Sequence, residues 1–141
     1  MDPKYAESVR QIKNYAENES NVMGVILLGS QVRKEVPGDQ WSDLDVLFFT
    51  KDTSPHTETD EWLALFGEVV CVCHETVELP WIDLTWYVKR VLYEDNRALD
   101  FSIMPYGKID DVLEINKEIH ALGFHVLYDS MGGELHRKLE Q

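Results

Sequence analysis

At 141 residues, 44% of them hydrophobic and 28% charged, the chain has the size and composition of one globular domain with a real core, which excludes disorder. Its 26 acidic and 13 basic residues give a formal net charge of -13. Such a surface is mostly a solvated exterior, but it repels phosphate backbones, so nucleic acid is disfavoured as a partner and metal cations or cationic small molecules are favoured.

No stretch approaches the roughly 20 apolar residues of a membrane span, and Met1 to Arg10 lacks the apolar core of a signal peptide. Cys71 and Cys73 sit too close together to staple distant segments. A cytoplasmic chain with free thiols and no membrane partner is therefore expected.

The first predicted element is a helix. Asp2 suits its cap and Pro3 its first position, and Tyr5, Val9, Ile12 and Tyr15 recur at helical spacing. Val22 to Leu28 reads as a buried strand ended by Gly29-Ser30. A polar stretch from Gln31 to Trp41 follows, with Pro37-Gly38 as its turn. Asp43 to Thr50 is the next strand, Lys51 to Thr59 a loop, and Thr59 to Phe66 a short helix stopped by Gly67. Val69 to Cys73 reads as a third strand on which alternation would bury both cysteines. Pro80 argues for a loop over Glu75 to Leu84. Thr85 to Tyr93 and Ala98 to Pro105 form a hairpin about the polar turn Glu94 to Arg97. Ile109 to Ile119 is a helix, Val126 to Tyr128 a short strand and Ser130 to Leu139 a final helix. The pattern predicts an α/β (α+β) domain: a mixed β-sheet with helices packed mainly on one face and carboxylates lining the open face opposite.

Three local signals carry chemistry. Gly29-Ser30 follows an apolar strand, where a glycine lets backbone approach a ligand and a following helix start would favour phosphate. Taken alone, a plain turn is the commoner explanation. In Ser42-Asp43-Leu44-Asp45-Val46, residues two apart point to one side of a strand, so Asp43 and Asp45 pair opposite Leu44, Val46 and Phe48. Such a pair either stays wet or holds a cation, and Mg²⁺ takes one or two carboxylates plus substrate phosphates. Asp100 interrupts Leu99-Phe101-Ile103 with the same parity. An ordinary strand aspartate facing water has that look too. Together, a phosphate-holding turn, an Asp-x-Asp pair and a third aspartate on a later strand describe a two-metal phosphoryl-transfer site.

The order Gly29-Ser30, Asp43-x-Asp45, Asp100 resembles the DNA polymerase β-like nucleotidyltransferase superfamily. The nearer resemblance is to the bacterial aminoglycoside 6-adenylyltransferases, also called streptomycin adenylyltransferases. It extends from Gly29 to Asp45 through Glu61-Trp-Leu-Ala-Leu-Phe-Gly67 and Leu99-Asp-Phe-Ser-Ile-Met-Pro105 to Val126-Leu-Tyr-Asp129, nearly the whole chain. It implies a nucleotidyltransferase fold over residues 1–141 and transfer of AMP from ATP to a hydroxyl of a small, aminoglycoside-like acceptor. It also implies that Asp43 and Asp45 hold the nucleotide metal, of two Mg²⁺ ions in all, and that Asp100 completes the second metal site and takes the acceptor's proton. Gly29, Ser30, Arg33 and Ser42 are expected to hold the nucleotide. Gln31 stands where the family usually has an arginine, and Arg33 is expected to make that contact instead. The family's helical C-terminal domain is not expected within these residues. Two other readings are an antitoxin-like partner of a small helical toxin and a nucleotide-binding module without turnover. Retention of all three aspartates speaks against the latter. Cys71, Cys73 and His74 lack the further ligands that a zinc site requires.

Overall fold

The computed structural model describes residues 2–29, 43–117 and 123–139. Asp2 caps the first turn by accepting from the Lys4 backbone N–H at 2.9 Å. Helix α1 (Ala6–Asn18) follows, with Ile12 and Ala16 buried at the spacing expected of an amphipathic helix. Strands β1 (Val22–Leu28), β2 (Leu44–Thr50), β3 (Val69–Leu79), β4 (Leu84–Tyr93), β5 (Ala98–Pro105) and β6 (His125–Asp129) form one sheet in the order β3-β4-β5-β2-β1-β6. All neighbours pair antiparallel except β2 and β5, which run parallel, so the sheet is mixed as expected. Helices α2 (Ser54–Thr57), α3 (Ile109–Ile115) and α4 (Glu134–Leu139) and a 3-10 turn (Glu61–Phe66) complete the elements used below.

The sheet has a core on each face. On the first, Leu44, Val46, Phe48, Leu99, Phe101 and Ile103 meet Ile12 and Ala16 of α1 and Trp62, Leu63 and Phe66 of the 3-10 turn. Trp62 and Phe101 pack edge to face at 5.0 Å between centroids. Lys89 is buried beside this cluster, donating to the Thr59 carbonyl and to Asp60 at 2.7 Å each. A buried ammonium needs such partners, and these tie β4 to the 3-10 turn. His74 contacts the other oxygen of Asp60 at 2.8 Å.

The second face is not as open as strand parity predicts. Beyond Asp45 and Asp100 the same parity carries Leu47, Phe49 and Met104, which are apolar and need cover. Ile109 and Val112 of α3 and Leu135 of α4 supply it. The half-buried carboxylates are left at the other end of that face.

Three element expectations are corrected. The segment read as a loop from Glu75 is strand: β3 runs to Leu79 and pairs residue by residue with β4, down to Leu79 opposite Leu84. Pro80 opens the tight turn after the strand, and Asp83 completes it at φ 51°. The cysteines are exposed rather than buried, because β3 is an edge strand on which little is packed among the described residues. The Thr59 to Phe66 helix is a 3-10 turn over Glu61–Phe66, and α2 occupies part of the preceding loop. Among the described residues no helix is long and apolar enough to cross a membrane.

Candidate active site

Sheet register assembles the site. Asp45 on β2 lies opposite Asp100 on the parallel neighbour β5. On the other side of Asp45 stands Leu28 of β1, the residue before Gly29. Across β5, Asp100 lies opposite Arg90 of β4, and Arg90 opposite Cys73 of β3. Registered partners point to one side, so Asp45, Asp100, Arg90 and Cys73 form a single row on the second face, with strands about 4.8 Å apart.

Gly29 closes the β1 end of this row. Its φ is 90°, a conformation that side chains rarely adopt. A Cβ built there collides with the Asp45 carboxylate, whose Cγ lies 3.1 Å away. The glycine therefore makes room first for Asp45, a role that the sequence did not suggest. Gly29→Ala is expected to push Asp45 out of the row and strain the backbone by about 1–2 kcal/mol. Affinity for Mg·ATP, measured by calorimetry, should fall at least about tenfold with the far-UV dichroism retained. Parental affinity in this variant would show that Asp45's position does not matter.

The electrostatics are those of two carboxyl groups forced together. Burial, then the charges of Asp100 and Asp43, then a hydrogen bond to Asp100 push Asp45 up to about 7, against a small opposing effect of Arg90. Burial and the charge of Asp43 also raise Asp100, while Arg90 and the hydrogen bond from Asp45 pull it down. The pair thus resists carrying two negative charges at once, and Asp45 is the member pushed up furthest. Arg90 lies close by, its Nε 3.9 Å from Asp100 Oδ2.

Asp43 stands exposed just before β2, and its charge reaches both members of the pair. Among the described residues no three His, Cys, Asp or Glu side chains cluster closely enough to hold a metal ion. What the fold joins is Asp45 and Asp100. Such a donor set fits Mg²⁺, an oxygen-seeking ion that needs only one or two carboxylates and takes its other ligands from phosphates and water. A divalent ion would also relieve the repulsion between the two carboxylates. Ser30, Arg33 and Ser42 lie outside the described residues.

Arg90 and its partner Glu75 were not singled out from the sequence. Counting back from a Glu94 to Arg97 turn would set Val91 opposite Asp100; the observed register is one residue different, with Leu92 opposite Ala98, and so brings Arg90 to Asp100. Glu75 was read as loop and so had no assigned face.

The streptomycin adenylyltransferase family model matches residues 4–130. The chain belongs to this family. The aminoglycoside 6-adenylyltransferase of Bacillus subtilis (strain 168) is 30% identical over 105 residues, covering 73% of this chain and 37% of the relative. That of Campylobacter jejuni is 28% identical over 113 residues, covering 79% and 39%. The chain thus spans little more than a third of the length of these relatives. A crystal structure of an aminoglycoside 6-adenyltransferase from Bacillus subtilis superposes with a TM-score of 0.57 at 22% identity, covering 77% of this chain and 38% of that one. That likeness supports the nucleotidyltransferase fold.

Proposed function

We propose that this chain carries the catalytic domain of an adenylyltransferase that moves AMP from ATP to a hydroxyl of an aminoglycoside-like acceptor. The observation that carries the reading is the in-register pair Asp45–Asp100, two half-buried carboxyl groups on adjacent strands beside the Gly29 turn. Family membership supports the choice of substrates, since the matched relatives are aminoglycoside 6-adenylyltransferases. The cytoplasm is the proposed location.

In the proposed reaction the acceptor oxygen attacks the α-phosphorus of ATP. The new O–P bond replaces the one to pyrophosphate, which leaves, and the hydroxyl proton passes to Asp100. Asp45 and Asp43 would hold the nucleotide's Mg²⁺, and Asp100 would share a second. Bound there, the ions would offset the triphosphate charge and make the hydroxyl easier to ionise. Gly29, Ser30, Arg33 and Ser42 are proposed to bind the nucleotide. Because the acceptor-facing pair is only half buried, a bulky acceptor can reach Asp100 from solvent.

The test is to incubate the protein with ATP labelled at the α-phosphate, Mg²⁺ and a panel of aminoglycosides including streptomycin. Pyrophosphate and a labelled acceptor should appear in equal amounts. Pyrophosphate without labelled acceptor, or neither product with any acceptor, would refute the assignment.

A further inference from the structure

We propose that Glu75 and Arg90 form the acceptor subsite: Glu75 binds a cationic group of the acceptor, and Arg90 occupies that position until the acceptor displaces it. The inference rests on the adenylyl-transfer reading above.

The argument begins with direction. The Gly29 turn lies on the β1 side of Asp45, and the triphosphate is assigned to that turn. Attacking and leaving oxygens of a phosphoryl transfer stand roughly in line. With pyrophosphate leaving toward β1, the acceptor hydroxyl approaches from the opposite side, across Asp100 toward β4 and β3. The side chains on that side of the same face are Arg90, in register with Asp100, then Cys73 and Glu75 on the edge strand.

Arg90 reaches in two directions there. Its Nη2 lies 3.2 Å from Glu75 Oε2, and its Nε 3.9 Å from Asp100 Oδ2. A guanidinium thus already sits between the base and a second carboxylate, which shows that the position accepts a planar cation. The pair is open to water, with Arg90 58% and Glu75 52% exposed, and exposed ion pairs add little to stability. An incoming ammonium or guanidinium can therefore replace Arg90 on Glu75 at small cost. The chain's formal net charge of -13 draws polycations to the surface. Because β3 is the sheet edge, the rest of a bulky acceptor can extend past it.

The experiment titrates streptomycin, a guanidinium-bearing polycation, into the protein with Mg²⁺ and a non-hydrolysable ATP analogue. Glu75→Gln is expected to weaken streptomycin binding roughly tenfold, the scale of one charge-assisted hydrogen bond, with analogue affinity unchanged. Glu75→Asp should keep most of the affinity, and Arg90→Met, which frees Glu75, should raise it. In turnover the Glu75→Gln defect should fall on KM for streptomycin rather than on kcat.

Parental streptomycin affinity in Glu75→Gln, or weaker binding in Arg90→Met, overturns the subsite while AMP transfer stands. An equal loss of analogue and streptomycin binding in Glu75→Gln makes the pair merely structural and overturns it too. A parent that binds the analogue and adenylylates another aminoglycoside but never binds streptomycin also overturns it. A parent with no transfer to any acceptor brings down the adenylyl-transfer reading itself, and this inference with it.

Discussion

Asp100→Asn is expected to lower AMP transfer by roughly 10²–10⁴-fold, the usual worth of a positioned general base, while ATP affinity changes by no more than about threefold. Asparagine has the shape of aspartate and so preserves the packing of β5, where Leu99 and Phe101 on either side are buried. What it loses is the ability to take a proton and to carry charge beside Asp45. Single-turnover transfer of labelled AMP measures the first effect and calorimetry with Mg·ATP the second. Full transferase activity in this variant would overturn the mechanism whatever the geometry. A parallel collapse of ATP binding would instead assign Asp100 to the nucleotide metal.

Much of this site could be read from the sequence because parity is a local property. Leu44, Val46 and Phe48 against Asp45, and Leu99, Phe101 and Ile103 against Asp100, fix which way each aspartate points, and the buried apolar set bears out the inward half. Their meeting could not be read the same way. It depends on a parallel register between strands more than fifty residues apart, and parallel register leaves no trace in either strand alone.

Edges were the other blind spot. The rules that connect alternation with burial assume cover, and among the described residues β3 has little on either side. Its polar half from Glu75 onward, followed by Pro80, therefore resembled a loop, and its cysteines resembled core. Lys89 failed in the opposite sense. It is a charged residue in the core, made tolerable by Asp60 and Thr59 some thirty positions earlier. In each case a partner distant in sequence decides, which is where tertiary contacts override local pattern.

Asp45→Asn is expected to stabilise the metal-free protein at neutral and alkaline pH and to leave it unchanged near pH 4. The sign follows from proton counting. In the folded chain Asp45 is pushed up to about 7 from an ordinary 3.8. Between those values the folded state keeps a proton that the unfolded state has released, so stability falls as pH rises. The fall is about 1.4 kcal/mol per pH unit at most, complete above about pH 7, and totals no more than about 4 kcal/mol. Access of water to the half-buried carboxyl and relaxation of the pair reduce that figure. Asparagine has no proton to lose, and one of the charges crowding Asp100 is gone. The difference between the two denaturation profiles should therefore open between pH 4 and 7; titrating groups that do not touch the pair cancel in the difference. Mg²⁺ with ATP should reverse the ranking above pH 7, because ligand stabilises only the protein that binds it. Thermal midpoints across pH, with and without Mg²⁺ and ATP, provide both comparisons. If Asp45→Asn keeps the parental pH profile, Asp45 is not the strained member of the pair. If Mg·ATP raises its midpoint as much as the parent's, Asp45 does not hold the nucleotide metal.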